Sequence, residues 1–432
     1  KLKHHRTEFL SPWFFRPHFL QRKRPIAWRK GWASLLCSVV KSGGKMTIEI
    51  PPFSSNVDSA ETLPSWLYTD PAVFELERER IFSCTWQPVG RLEQVETPGS
   101  YFTADVAGEP IVVLRDSDGI LRAFYNVCRH RAGPVAALCG KRQTFTCRYH
   151  GWTYSQSGAL RSAPEFDDVP CFRKEDFGLR PIAVDVFGPL LFVNLAASPM
   201  PLAEMIDGIP QATERFKLAR LRLCERVEYE VACNWKVYID NYLEGYHIPV
   251  VHPSLYRELD YANYRVETAR YYSSQIAPLR KRNDPSGSGK ERLYSDATGD
   301  AQALYYWVFP GWMLNVYPDN LQCNAVIPLS VSRTRVVFEW YMLTDGAMVN
   351  RTLPEGIAHS PNDAREAIRK GIEFGDLVQK EDIEICEAVQ KGLGSRSYDR
   401  GRFCVKRENG VHHFQSLVHE FLFGPQKARD EV

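Results

Sequence analysis

Cys128-Arg129-His130 and Cys147-Arg148-Tyr149-His150 constrain this chain more than any other feature. They form a C-x-H arm and a C-x-x-H arm separated by sixteen residues. Two thiolates and two imidazoles at those spacings can hold a two-iron, two-sulfur cluster, both cysteines on one iron and both histidines on the other. Neutral imidazoles leave such a centre less negative than four thiolates would, which raises its reduction potential and suits it to passing single electrons. The competing occupant is zinc. Zinc knuckles pair cysteine with cysteine and histidine with histidine rather than using mixed arms, so the pattern favours the cluster.

The chain around the arms reads as short strands and turns, from Trp86 to about Ala196. Tyr101–Ala104, Pro110–Arg115 and Leu121–Tyr125 alternate with Gly and Asp turns such as Asp116-Ser117-Asp118-Gly119, and Leu190–Leu195 reads as a closing strand. The arms are then loops of a small antiparallel domain. Cys139 lies between them without a partner spacing and is expected to be a packed thiol. Leu67–Trp86 reads as helical with Pro71 in its first turn, and Pro201–Arg222 is also expected to be helical. A longer sheet includes Leu304–Val316, Cys323–Pro328 and Thr334–Leu343, and a helix runs from about Asn362 to Leu393. Lys281–Arg292 reads as a mobile surface loop. Its Asp284–Lys290 stretch lacks the Ser or Thr of a phosphate loop, Glu291 standing in that place.

Hydrophobic content of 44% and charged content of 25% belong to an ordinary globular chain, long enough for two or three domains. No window approaches twenty uninterrupted apolar residues, so no membrane span is expected. Eleven scattered cysteines suit a reducing compartment, the cytoplasm. Charge is unevenly spread. Residues 1–45 carry eleven Lys or Arg against the single Glu8, leaving 43 basic and 51 acidic residues in the rest. The body is therefore acidic, which argues against a nucleic-acid surface. Residues 1–45 are expected to be a disordered extension, with Met46 the natural start. The alternative is a transit peptide directing the chain to an organelle stroma or matrix.

A second constellation lies at Asn234–His252. His247 and His252, five residues apart, would stand about 140° apart on a regular helix. Pro249 between them breaks the helix, so both rings can converge. Two histidines and one carboxylate with open positions form the facial triad of non-haem Fe(II) oxygenases. The C-terminal helix offers the carboxylate. Phe374, Val378, Ile385 and Val389 recur at helical spacing and predict its inward face. Glu381 and Asp382 flank that stripe, whereas Glu384 and Glu387 point away, and spacing alone leaves Glu381 and Asp382 equivalent.

Over residues 60–425 the chain resembles the large (alpha) subunits of Rieske non-haem iron oxygenases, most closely the choline monooxygenase branch acting on quaternary amines. The Rieske arms with Arg131 and Gly151-Trp152, the Asn234–Pro253 stretch, and the run from Val378 through Gly401-Arg402-Phe403 to His412-His413-Phe414 carry the resemblance. It implies an α+β fold: a small all-β Rieske [2Fe-2S] domain at 86–196 inserted in a helix-grip catalytic domain formed by 46–85 and 197–425, with an antiparallel sheet and C-terminal helices. It implies one [2Fe-2S] cluster on Cys128, His130, Cys147 and His150, and one mononuclear Fe(II) on His247, His252 and Asp382.

Relatives that hydroxylate aromatic rings have Asp three residues before the first iron histidine. This chain has Glu244, as the amine-oxidising enzymes do, and the family role of that carboxylate is to link the iron of one subunit to the cluster of its neighbour. Glu244 can also order the His247 ring. Asp240, one helical turn earlier, is a candidate for the same network. The resemblance implies a head-to-tail homotrimer, O2 and a small molecule as substrates, and electrons from a separate reductase or ferredoxin. Tyr305, Trp307, Trp312 and Tyr317 are candidate pocket aromatics for a quaternary amine, although a strand sends only alternate residues to one side. An aromatic ring-hydroxylating oxygenase is the alternative activity; a pure electron carrier is a third reading, opposed by His247, His252 and Asp382.

Overall fold

The computed structural model describes residues 40–42, 45–47, 50–214, 218–279, 302–316, 321–343 and 361–424. Lys281–Arg292, Tyr317 and nearly all of residues 1–45 lie outside the described residues. A short hairpin, β1 (Val40–Ser42) and β2 (Lys45–Thr47), belongs to the first compact unit, residues 1–50. The second unit, Pro51–Val432, holds everything below.

Its first helices follow from local chemistry. Asp70 closes α1 (Trp66–Thr69) and caps α2 (Pro71–Glu77), accepting from the Ala72 N–H at 2.8 Å. Pro71 sits where a missing N–H costs nothing. A π-helical turn, Arg78–Phe82, continues α2.

The arm-bearing region is an antiparallel seven-stranded sheet in the order β3 (Gln87–Arg91), β12 (Leu190–Asn194), β11 (Pro181–Phe187), β6 (Leu121–Tyr125), β5 (Glu109–Arg115), β4 (Ser100–Val106), β7 (Cys139–Lys141). A three-stranded sheet accompanies it, β10 (Leu160–Ser162), β9 (Thr153–Ser155), β8 (Thr144–Thr146). The first arm leaves β6 and the second joins β8 to β9. Cys139 is exposed on β7 rather than packed, because β7 is a three-residue strand at the edge of the sheet, exposed along its length.

The expected helix at Pro201–Arg222 does not form as one piece. It is two fragments, α3 (Leu202–Met205) and α4 (Ile209–Thr213), separated at Gly208 with φ +88°, and the chain is already a strand by Leu221. That strand, β13 (Leu221–Val231), opens the second antiparallel seven-stranded sheet. Its order is β13, β19 (Arg333–Leu343), β18 (Leu321–Ser330), β17 (Trp312–Val316), β16 (Gln302–Val308), β15 (Tyr272–Pro278), β14 (Arg265–Thr268).

Side-chain alternation gives this sheet two working faces. On its back, Trp312 packs edge-on to Phe187 and Phe192 of the arm-bearing sheet, and Arg91 of β3 bonds Glu339 of β19 at 2.7 Å. On its front lie α5 (Trp235–Tyr242), α8 (Pro361–Leu393) and α9 (Asn409–Phe423). The Tyr229 hydroxyl of β13 donates to Asp376 of α8 at 2.9 Å. Phe414 of α9 packs edge-on to Trp307 and Trp235. Lys236 of α5 and Glu77 of α2 are both fully buried and paired, with the Trp235 Nε1–H also on Glu77 at 2.8 Å. That geometry satisfies charges whose burial would otherwise be costly.

Candidate metal centres and cavity

Each arm closes on itself through backbone turns. The Cys128 N–H donates to Gly133 O at 2.8 Å and Ala132 N–H returns to Cys128 O at 3.0 Å; Gly151 N–H donates to Cys147 O at 3.0 Å. Gly151 has φ +77°, which a side chain would strain. A Cβ on Gly133 would sit 2.9 Å from the Cys147 sulfur, so glycine keeps that sulfur's surroundings open.

Both cysteines are buried, and the His130 and His150 rings stand 4.6 Å apart. Trp152 stacks on His130 at 4.9 Å, fixing the ring plane. The Tyr154 hydroxyl lies 3.2 Å from the Cys128 sulfur and accepts the Arg129 N–H at 3.0 Å. Burial pushes the Cys147 thiol up, opposed by the Tyr149 and His150 N–H groups, while burial and neighbouring cationic groups hold His130 down. The His130 Nδ1 is buried without a hydrogen-bond partner, which fits a nitrogen that would bind iron.

The group that can share one ion is His247, His252 and Asp382, whose ligand atoms lie within 4.8 Å of one another. The chain between the histidines is a one-turn helix, α6 (Ile248–Val251), with Pro249 in its first turn, and α7 (Pro253–Glu258) follows at once. His247 and His252 thus bracket a single turn, and their rings approach to 5.0 Å. Asp382 Oδ1 lies 2.9 Å from His252 Nε2 and 3.8 Å from His247 Nε2. Each opposite ring nitrogen meets another carboxylate: His247 Nδ1 meets Glu244 at 2.5 Å, and His252 Nδ1 meets Glu381 at 2.7 Å. That arrangement sets both Nε2 atoms toward the shared position, the usual way a protein orients metal-binding imidazoles. Burial works against charge on His252, but Asp382 and Glu381 outweigh it and hold its pKa up.

Asp240 does not join this network. Its carboxylate accepts from the Tyr68 hydroxyl at 2.7 Å and from Gln415 at 3.1 Å, toward α1 and α9. The inward line of α8 also differs from the expected stripe: Gln379 and Cys386 are buried on the Asp382 side, while Ile385 and Val389 are exposed. Four-residue steps drift around a helix, so apolar spacing over a long helix marks the wrong line by its end. Glu387 is not merely solvated either, since it accepts the Ala232 N–H at 2.9 Å.

A cavity opens beside His247, His252 and Asp382, bounded by the front face of the second sheet, α5 and α8. Strand register aligns Gln275, Tyr305, Asn315, Gln322 and Trp340 in one row, and all five line it. Of the expected aromatics, Tyr305 lines the cavity. Trp307 shares that face but lies under His413 and Phe414 of α9. Trp312, at an odd step from them across the turn, points to the back face. Phe338 and Trp340 line the cavity unanticipated; the alternation Val336, Phe338, Trp340 was visible, but nothing in it said which face met the histidines. Glu381 as partner of His252, and the Tyr154 hydroxyl on Cys128, had no signal beyond position.

Residues 85–173 match the family described as Rieske [2Fe-2S] domain, and residues 218–424 match the ring hydroxylating alpha subunit (catalytic domain). The chain is 34% identical over 390 residues to choline monooxygenase, chloroplastic, of Arabidopsis thaliana, covering 88% of this chain and 86% of that one. It is 30% identical to the carnitine monooxygenase oxygenase subunit of Acinetobacter baumannii, covering 85% and 97%. A solved quaternary ammonium Rieske monooxygenase superposes with a TM-score of 0.72 at 29% identity, over 86% of this chain and 99% of that one. Naphthalene 1,2-dioxygenase shares the fold, with a TM-score of 0.65 at 18% identity. Likeness over both regions at once, at this identity, makes the chain a member of the Rieske non-haem iron oxygenases: an oxygenase subunit that uses a [2Fe-2S] cluster and a mononuclear iron.

Proposed function

We propose that this oxygenase hydroxylates a quaternary amine, choline being the leading candidate. The observation that carries this reading is the cavity wall: Tyr305, Phe338 and Trp340 stand beside the His247–His252–Asp382 group. Aromatic faces attract a trimethylammonium group by roughly 0.5–2 kcal/mol for each well-placed ring. The relatives named for choline and carnitine support the same class.

Cys128, Cys147, His130 and His150 would hold the cluster, and His247, His252 and Asp382 the iron. When bound, the cluster supplies single electrons and the iron supplies open positions for dioxygen. The chain's own residues do the positioning. Glu244 and Glu381 accept the Nδ1–H groups of His247 and His252 and so keep both Nε2 lone pairs aimed at one point. Asp382, reached from the neighbouring helix, completes a one-sided set that leaves the cavity side open to substrate. Phe338, Trp340 and Tyr305 exclude water and orient the cation.

The two sheets support a division into 46–85, 86–196 and 197–425, the arm-bearing region being the insert. The described cysteines are free thiols and no described helix is long and apolar enough to cross a membrane; the thiols support a reducing compartment such as the cytoplasm. A homotrimer and a separate reductase or ferredoxin complete the proposal.

Oxygen uptake by the reconstituted enzyme, with a panel of choline, carnitine, betaines and benzoates, tests the substrate class. Stimulation by quaternary amines is expected. Stimulation by aromatic acids alone would replace this reading with ring hydroxylation.

A further inference from the structure

Two amide side chains in the cavity wall carry buried polar atoms with nothing to bond. Gln322 and Asn324 lie two residues apart on β18, on the face that meets the cavity, and are 4% and 3% exposed. Gln322 Nε2 and Asn324 Oδ1 have no hydrogen-bond partner. Such atoms are rare in folded proteins and mark places where a ligand or water is expected.

The orientation of Gln322 is set by its neighbours. The Tyr242 hydroxyl donates to Asn315 Oδ1, and Asn315 Nδ2 donates to Gln322 Oε1 at 3.0 Å. That chain of bonds ends on the Gln322 amide N–H, directed to the unpartnered side. Asn324, next along the same face, offers a carbonyl oxygen. The two unpartnered atoms are therefore an N–H donor on Gln322 and a carbonyl acceptor on Asn324, both uncharged.

The adjoining strand carries the complementary surface. Trp340 stands opposite Gln322 and Phe338 opposite Asn324, their rings 5.8 Å apart at 63°. Neighbouring strands lie about 4.8 Å apart, so an aromatic column and an amide column run side by side at the scale of a short substrate.

We propose that Gln322 and Asn324 read a hydroxyl group on the substrate while Phe338 and Trp340 take its quaternary ammonium end. This rests on the quaternary-amine reading above and narrows it to amino alcohols. A hydroxyl both accepts and donates, so one group answers Gln322 Nε2 and Asn324 Oδ1 together. A carboxylate only accepts: it would satisfy Gln322 but set its lone pairs against the Asn324 oxygen. An alkyl end would satisfy neither, and sites built to bond a substrate hydroxyl reject analogues lacking it.

Calorimetric binding to the cluster- and iron-loaded enzyme under anaerobic conditions tests the assignment. The ligands are choline, ethyltrimethylammonium (the same cation without the hydroxyl) and glycine betaine. The wild type is expected to bind choline at least about tenfold more tightly than either analogue. In the double variant Gln322→Met, Asn324→Leu, choline is expected to lose its advantage and to bind no more tightly than ethyltrimethylammonium, because its hydroxyl is then left unpaired. Equal binding of choline and ethyltrimethylammonium to the wild type overturns the hydroxyl assignment while leaving the quaternary-amine reading intact. A preference that survives in the double variant overturns the assignment to these two residues. Failure of every quaternary amine to bind overturns both readings. The wild-type comparison needs no folded variant, so it decides by itself whether a substrate hydroxyl is read.

Discussion

Glu381 and Asp382 are neighbours in the chain, yet they meet His252 at different nitrogens, Glu381 at Nδ1 and Asp382 at Nε2. Consecutive helical residues diverge by about 100°, so a ring lying against α8 can be touched by both. The divergence also means they cannot both face the point where His247 Nε2 and His252 Nε2 converge. Asp382 faces it. Asp382→Ala is expected to lose the mononuclear iron, total iron falling from about three to about two atoms per chain, with the visible absorbance of the cluster retained. Glu381→Gln should keep the site but weaken iron binding about 10–100-fold in a chelator competition. If Asp382→Ala kept its third iron and Glu381→Ala lost it, the ligand assignment would be reversed. The ligand types were legible in the sequence because cysteine, histidine and carboxylate at these spacings have few other uses together. The choice between Glu381 and Asp382 was not, because it depends on where α6 sets the His252 ring against α8, a tertiary matter that no local spacing encodes.

At the level of elements, legibility followed the strength of local punctuation. Pro249 marked the break between the histidines, and Asp70 with Pro71 marked the start of α2. Pro201–Arg222 carried a helical composition, but Gly208 divides it and β13 takes over for pairing with β19. Tertiary pairing overrode propensity there. Asp240 shows the same limit: its place on α5 was readable, its direction was not. It ties α5 to α1 and α9 through Tyr68 and Gln415, and burial pushes its carboxyl up to about 7 from an ordinary value near 3.8. The native state therefore holds a proton that the unfolded chain lacks between about pH 4 and 7. Unfolding releases it, so this residue's contribution to stability is greatest near pH 4 and falls as pH rises toward 7. Asp240→Asn removes that titration while keeping the shape. Melting temperatures of wild type and variant, measured from pH 4 to 8 in one ionic strength, should diverge, the wild type losing ground as pH rises and the gap levelling above about 7. Parallel curves would mean that Asp240 is ionised in the native state throughout.

The whole molecule separates its two centres by construction. The arm-bearing sheet packs on the back of the second sheet through Phe187, Phe192 and Arg91, whereas the cavity and its ligands lie on the front. Both centres also reach the surface on their outer sides. His150 is exposed and Tyr149 beside it is 57% exposed; near His247, Tyr246 and Val250 are 58% and 82% exposed. Apolar side chains left bare next to each centre fit surfaces covered by a neighbouring copy. The proposed head-to-tail ring would bring one copy's cluster edge to the next copy's iron edge, with Glu244 on His247 at the junction. Mixing two inactive variants tests this route. His150→Ala should lack a working cluster and Asp382→Ala should lack the iron, so each alone is expected to be inactive. When the two are unfolded, mixed in equal amounts and reassembled, only junctions with a cluster on one side and an iron on the other can work. Random assembly makes those about one quarter of all junctions, so about a quarter of wild-type turnover per chain is expected. Electron transfer confined to one chain would instead leave every mixture inactive, because no single polypeptide in it carries both centres. Mass analysis of the mixed species, showing both variants in one particle, makes that silence decisive.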